Sequence, residues 1–448
     1  MATNPTQRIQ RFDHDTEFTR EIESHLSRLA ALPPSTDVPY VTVNLDWQIE
    51  GTNPGRSPMP ASDDDGVDTS ARRRPAYRIF EEEMEAAIDA HRPRGAIFDS
   101  LSADAERITS FLESELDPAA NGVVIVSCSA NDVFEFVTLA TPVTTGFRVG
   151  PTPSLTELVR VAGDHPTYAV LLADQHDAYL SFIKLAASTQ SVVLESSGYP
   201  RKQQQGGWSQ RRFQARADER VNAFARDIAE ETRKALDSAG VEMLLIAGDE
   251  VITSALDDAF HPGVKDCIVG QLRLDIRIDE HELIAETQPV AEQAARDREA
   301  AIIERLQNAV GAGRQGATGA EDTLIALQAG QVETLIMNDD FSGTGWADYS
   351  LPAYGVGTLP ERHPLGGDPS AIVPVTLEDE FVRLAIQSGA SVMIIHSDVP
   401  VPDKEVRDLP DTEDGPPRTP ASATLQDHGG VGALLRYVMD EVAPPENI

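Results

Sequence analysis

Apolar side chains recur at helical spacing near the start of the chain, where Ile22, Leu26 and Leu29 share one face and Pro33-Pro34 stops the pattern. Tyr40 to Leu45 then reads as a strand rich in β-branched residues. Residues 51–75 hold Gly, Pro, Ser and Asp with few large apolar groups, which predicts a loop. Phe80, Met84, Ala87 and Ile88 mark a helix over Tyr77–His91, and Leu101, Ile108, Phe111 and Leu112 mark another over 101–116. Gly122–Ser127 and Val133–Leu139 read as paired strands turning through Ser129–Asp132.

A second unit opens near Pro166. Its expected strands are Tyr168–Ala173, Ala178–Leu185 and Ser191–Ser196, followed by a polar, Gly-containing loop over 199–212. A long helix over Phe213–Ala239 faces inward through Val221, Phe224, Ile228 and Leu236, with Gly240 at the stop position. A strand at Val241–Ala247, a helix at Val251–Phe260 and a strand region at Ile268–Ile278 complete the unit. The third unit reads as helices at Val290–Val310, Glu321–Gly330 and Thr376–Ser388 and strands at Val332–Met337 and Ser391–His396. A Pro- and Asp-rich loop at 399–424 and a last strand or helix at Gly432–Val438 follow.

The expected class is therefore α/β and α+β in three domains. The middle and C-terminal domains are each expected to be a mixed or mostly parallel sheet with flanking helices. The expected divisions are a helical segment at 1–35, an N-terminal domain at 36–162 and a middle domain at 163–287. A C-terminal domain at 288–448 follows.

A length of 448 residues fits two to four domains, and a chain this long needs no disulfide or metal staple. There is no run of 18 apolar residues, and the first thirty residues lack a signal-type apolar core, which points to the cytoplasm. Two cysteines, Cys128 and Cys267, make neither a disulfide framework nor a four-ligand zinc site. The net charge of −36 excludes nucleic-acid binding by the surface as a whole, so any RNA contact must be local and basic. The only lysines are Lys184, Lys202, Lys234, Lys265 and Lys404, so arginine supplies most of the positive charge. Such a balance suits either a salt-loving host or an ordinary acidic protein of arginine-rich composition.

One segment reverses the charge. Residues 201–216 carry Arg201, Lys202, Arg211, Arg212 and Arg216 with no acid between them. Gly206-Gly207 lets the backbone approach another molecule closely. Trp208 suits stacking on a base or ribose, and the arginines suit phosphates. Arginines at a helix start oppose the macrodipole, which argues for a purpose other than stability. The competing reading is a solvated polar loop with an arginine-rich first turn.

These residues carry a resemblance. Gly206-Gly207-Trp208-Ser209-Gln210 before Arg-Arg-Phe, and the strand Met243–Gly248, resemble the middle domain of archaeal and eukaryotic class I peptide-chain release factors. Asp322–Ile336, Ala385–Ile395 and Gly430–Tyr437 resemble the C-terminal domain of that superfamily. Val43-Asn44-Leu45-Asp46 before a long insertion is similar to its divergent bacterial-type members. The resemblance implies a ribosome-binding factor whose partners are rRNA and peptidyl-tRNA, with a translational GTPase in the Pelota-type branch, and no membrane. It implies a tip shaped by Gly206 and Gly207, with Gln210 orienting water toward the peptidyl-tRNA ester and Arg201, Lys202, Trp208, Arg211, Arg212 and Arg216 contacting nucleic acid. The family tip is Gly-Gly-Gln, whereas here Trp208 and Ser209 separate Gly207 from Gln210. Hydrolysis or rescue without codon reading, a non-enzymatic hibernation role and a protein-interaction scaffold all stay open, and no cofactor or metal is implied.

Other constellations read as structural. Asp13-His14-Asp15 is expected in a solvated terminus, His261-Pro262-Gly263 as a helix C-cap, and Asp339-Asp340 with Asp348 as loop acids. Ser127-Cys128-Ser129 is expected at a strand end.

Overall fold

A computed structural model describes residues 17–48, 74–117, 120–139, 141–164, 167–184, 187–195, 210–311, 315–397 and 418–437. The chain divides into two compact units. One comprises Met1–Glu21 with His165–Asp297, the other Ile22–Asp164 with Arg298–Ile448.

The second unit takes in α1 (Glu17–Ala30) from Ile22 onward, then β1 (Tyr40–Asp46), α2 (Pro75–Ala90), α3 (Ala96–Ser114), β2 (Gly122–Cys128), β3 (Val133–Leu139), β4 (Gly146–Gly150) and α4 (Thr156–Asp164). The strands form an antiparallel sheet in the order β3-β2-β1-β4, with Val43 opposite both Ile125 and Phe147. Val41, Val43 and Leu45 alternate toward one face, where they meet Phe80 and Met84 of α2 and Leu101, Ile108 and Phe111 of α3. Pro75 opens α2 at a position where its missing N–H has no helical partner to lose. Asp104 is fully buried on α3 and accepts from the Ser127 hydroxyl at 2.5 Å and the Ser129 amide at 2.7 Å. The Ser127-Cys128-Ser129 stretch thus ends β2 as expected, held by a carboxylate.

The first unit contains β5 (Tyr168–Ala173), β6 (Asp177–Lys184), β7 (Ala187–Glu195), α5 (Gln210–Ala239), β8 (Leu244–Gly248), α6 (Glu250–Ala259), α7 (Pro262–Lys265) and β9 (Ile268–Leu272). Its sheet runs β7-β6-β5-β8-β9. β5, β8 and β9 are parallel, and β6 and β7 antiparallel. Period-2 alternation sends Ala169 and Leu171 to the face covered by α5 and α6, and Tyr168, Val170 and Leu172 to the opposite face. The apolar alternation past β9 is half-buried, with Leu274, Ile276 and Ile278 packed on that second core, but the backbone there turns and the strand ends at Leu272.

Helix α8 (Glu280–Gly311) starts ten residues before the expected Val290. Pro289, just ahead of that expected start, lies inside the helix. Thr287, two residues earlier, is fully buried, and its hydroxyl donates to the Leu283 carbonyl at 2.7 Å. Leu283 and Ala291 serve the core of the first unit, Ile303 and Leu306 that of the second.

The second unit resumes with β10 (Gly316–Thr318), α9 (Ala320–Gln328), β11 (Val332–Asn338), β12 (Thr344–Asp348), β13 (Ala353–Val356) and β14 (Val373–Thr376). It ends with α10 (Leu377–Gln387), β15 (Ser391–Ile395), α11 (Pro420–Gln426) and β16 (Val431–Leu435). One sheet is ordered β10-β16-β11-β15, with β11 and β15 parallel. A second, β13-β12-β14, closes over Trp346, Ala353 and Ile372. The expected loop at 399–424 holds α11 in its last residues, capped by the Thr419 hydroxyl, which accepts from the Ser422 amide at 3.2 Å. Among the described residues no helix is long and apolar enough to cross a membrane.

Candidate nucleic-acid interface

The basic segment 201–216 follows β7 in sequence and includes the first residues of α5. Arg201, Lys202, Gly206, Gly207 and Trp208 fall outside the described residues. The helix begins at Gln210, three residues before the expected Phe213, so the expected loop at 199–212 is shorter at its C-terminal end. Arg211, Arg212 and Arg216 follow on the same helical backbone. In sequence, three of the six expected nucleic-acid residues and both glycines precede the helix, and the other three fall within its first seven residues. Nothing acidic occupies the first turn of α5, where acids favour the helix dipole and cations oppose it.

The helix is anchored by its later part. Val221, Ala225, Ile228, Ala229 and Leu236 are buried against the sheet and α6. Their spacing of three and four residues places them on one stripe, which is why this sequence forms an amphipathic helix here. Val221 stands eleven residues beyond Gln210, about 16 Å along the helix at 1.5 Å per residue.

Charge changes along the exposed face. Arg233 donates to Glu230 at 2.9 Å and to Asp237 at 2.9 Å, and Lys234 donates to Glu231 at 2.9 Å. The bond from Arg233 holds the Glu230 carboxyl below its usual range, and the same bond raises Arg233; Glu231 does likewise for Lys234. Arg220 and Arg226 are exposed. The sequence reading placed its cations at 201–216 and did not single out these two, although the 3.6 period was enough to put them opposite the buried stripe.

The carboxyl ends of β5 and β8 are held by side-chain hydrogen bonds and a close backbone contact. Asp249 caps α6 by accepting from Val251 N at 2.8 Å and Ile252 N at 3.1 Å, and its other oxygen accepts from Gln175 Nε2 at 3.2 Å. Gly248 has φ +144°, and a Cβ there would stand 1.9 Å from the Ala173 carbonyl oxygen, so only glycine fits. Asp174 accepts from the amides of His176 and Asp177 and turns β5 into β6. Asp249-Glu250 before an apolar run is a legible N-cap signal that the sequence reading passed over.

Several residues singled out earlier take other roles. His261 caps the start of α7, accepting from the Gly263 amide at 3.2 Å, so it is an N-cap rather than the expected C-cap. Asp339 accepts from the Ser397 amide, Asp340 pairs with Arg418, and Asp348 is bonded to His363. Among the described residues no three His, Cys, Asp or Glu side chains gather as a metal ligand set. Cys128 is buried, and burial raises its thiol above the usual range, which disfavours a thiolate nucleophile.

Residues 153–299 match the family model of bacterial archaeo-eukaryotic release factor family 10. No curated protein matches the chain. Among solved structures, the archaeal translation termination factor aRF1 is similar at 15% identity over 93% of this chain and 98% of that one, with a TM-score of 0.22. Archaeoglobus fulgidus Pelota is similar at 16% identity over 70% and 80%, with a TM-score of 0.26. Dom34 of S. cerevisiae, a translation termination-like factor involved in RNA quality control, is similar at 9% identity over 71% and 80%, with a TM-score of 0.36. At those scores no position of this chain inherits a role from them.

Proposed function

We propose that this chain, a bacterial archaeo-eukaryotic release factor of family 10 over residues 153–299, is a ribosome-binding translation factor of the release and rescue type. The observation that carries the reading is that the matched span encloses the cationic segment 201–216 of an otherwise acidic protein. Arg201, Lys202, Arg211, Arg212 and Arg216 hold rRNA or tRNA phosphates, and Trp208 stacks on a base. Gly206 and Gly207 shape the tip within the A site, and Gln210 orients water toward the ester that joins peptide to tRNA. Attack by that water releases the peptide acid and leaves the proton on the tRNA 3′ oxygen. The partners are the ribosome, its RNA and peptidyl-tRNA, with delivery by a translational GTPase, and the site of action is the cytoplasm.

A second reading, ribosome occupancy without hydrolysis, as in hibernation, is favoured by one observation. Gln210 belongs to the first turn of α5, and two residues separate it from Gly207. Peptide release from stalled ribosome–nascent chain complexes separates the two. Release by wild type that falls at least tenfold in Gln210→Ala supports the hydrolytic reading. Equal release by the two proteins removes Gln210 from the chemistry. Ribosome binding with no release by either supports occupancy.

A further inference from the structure

We propose that a cavity in the second unit, beside the head of α10, binds a small organic cation: a protonated primary amine on an apolar body. All of its walls belong to the second unit, whereas segment 201–216 belongs to the first, so this ligand and RNA are met by separate sets of residues.

The cavity measures about 470 Å³, within the range of about 300–1,000 Å³ that holds small ligands. It is enclosed by β4 and the turn that follows it, by β12 and β14, by the turn after β13 and by the first turn of α10. Pro151, Leu359, Pro374 and Val375 supply its apolar lining, and Leu359 is 49% exposed, an apolar side chain left half in water. The ionisable residues that line it are Arg148, Asp379 and Glu380.

Two of these three are matched by an opposite charge. Glu380 is bonded to the Arg383 guanidinium and accepts from the Tyr349 hydroxyl at 3.3 Å. Arg148 stands 3.6 Å from Glu378, and 56% of its side chain is exposed, so water screens it. Asp379 has no cation within ion-pair distance among the described residues; its partners are the hydroxyls of Ser154, Thr156 and Thr376. The head of α10 adds about half a positive charge, shared among Glu378, Asp379 and Glu380. Three carboxylates against two guanidiniums and that half charge leave the site negative.

The hydrogen bonds set the chemistry of the ligand further. Ser154 and Thr376 line the cavity and donate to Asp379 at 2.6 Å and 2.9 Å. A hydroxyl has one proton, so both turn only lone pairs toward a ligand. Asp379 commits three of its roughly four lone-pair sites to hydroxyls and keeps one. The Ser154 hydroxyl, the Asp379 carboxylate and the Thr376 hydroxyl are thus a contiguous set of acceptors without a donor. An anion or a carbonyl finds no partner there. An ammonium group brings three donors and no acceptor, and the apolar lining covers its carbon body.

The test is a saturation-transfer NMR titration of the full-length protein at fixed salt with 2-phenylethylamine, which is protonated at neutral pH. The neutral 2-phenylethanol and the anionic phenylacetate serve as matched comparators. Four proteins are compared: wild type, Asp379→Asn, Leu359→Arg and Glu304→Gln, the last an exposed acid on α8. Asp379→Asn removes the charge and keeps the shape, and Leu359→Arg places a cation at a half-exposed position that folding does not need. Urea midpoints establish that each variant is folded. Wild type is expected to bind the amine saturably and the alcohol about tenfold more weakly, since a charged donor is the stronger partner. Asp379→Asn and Leu359→Arg are each expected to weaken amine binding about tenfold, with Glu304→Gln at the wild-type value. No saturable binding of the amine by wild type overturns the proposal. Equal binding by all four proteins also overturns it, because attraction to a chain of net charge −36 then explains the result. Tighter binding of phenylacetate than of the amine overturns it as well and makes Arg148 the recognising group.

Discussion

Ser154 and Asp379, 225 residues apart in sequence, are joined by a hydrogen bond of 2.6 Å from the serine hydroxyl to the carboxylate. The same carboxylate oxygen accepts from the Thr156 hydroxyl at 2.8 Å, and the other accepts from Thr376 at 2.9 Å. One aspartate thus ties the start of α4 to the start of α10 within the second unit. Asp379→Ala strands three partly buried hydroxyls. It is expected to cost about 2–3 kcal/mol, since each lost partner leaves a donor unsatisfied. The urea midpoint measures this, and a shift under about 0.5 kcal/mol would show that water replaces the carboxylate.

The neighbouring carboxylate, Glu380, is fully buried and gives a larger effect. Arg383 and Glu380 are 3% and 1% exposed and are bonded through the guanidinium, which also donates to the Tyr354 hydroxyl at 3.2 Å. Burial disfavours the Arg383 charge, and the bond and charge of Glu380 outweigh it, so the guanidinium stays protonated at any working pH. Glu380→Gln and Arg383→Met each leave the partner uncompensated and are expected to cost about 3–5 kcal/mol. The double replacement is expected to cost less than the sum, which a double-mutant cycle in urea reads directly.

Acid stability follows from Asp348. Its carboxylate accepts from the Ser350 hydroxyl at 2.6 Å, the Ser350 amide at 2.8 Å and His363 Nε2 at 2.9 Å. The Ser350 hydroxyl contributes most to holding this carboxyl below the ordinary value of 3.8. In the unfolded chain Asp348 binds its proton first as pH falls, so its contribution is present above about pH 5 and is lost as pH drops through the folded value. His363 Nδ1 accepts from the Leu365 amide at 3.1 Å, which assigns the proton to Nε2. Asp348→Asn is expected to lower stability at neutral pH and to flatten its decline below pH 5. A decline unchanged from wild type would assign the acid sensitivity elsewhere.

Gly248 is the most closely packed glycine among the described residues of the first unit. With φ +144° and the Ala173 carbonyl 1.9 Å from any added Cβ, Gly248→Ala must part β5 from β8. A loss of more than about 3 kcal/mol is expected, with the soluble yield falling accordingly. A stable variant would mean that the two strand ends can separate without unfolding the sheet.

Much of this architecture was legible because period and punctuation agree. The helix-ending positions Gly240, Gly330 and Gly389 all take left-handed φ of 65° to 67°, and the stripe Val221, Phe224, Ile228, Leu236 faces the core as its spacing requires. What escaped lacks such signals. β12, β13 and β14 are four or five residues long with glycines at 345 and 355, too short and too small for a strand pattern to stand out. α8 continues through Pro289, where the sequence signal for a boundary is overridden by packing of Leu283 and Ala291 on the sheet. The cations at 201–216 were legible from charge alone.

The central claim is that the cationic segment seats this acidic protein on the ribosome. Co-sedimentation of the full-length protein with ribosomes, over a stated salt series, tests it most directly. The comparison is wild type against a variant with Arg201, Lys202, Arg211, Arg212 and Arg216 replaced by Gln. Wild type is expected in the pellet at low salt and increasingly in the supernatant as salt rises, with the variant in the supernatant throughout. Equal pelleting of both proteins, or no pelleting of wild type at any salt, contradicts the account.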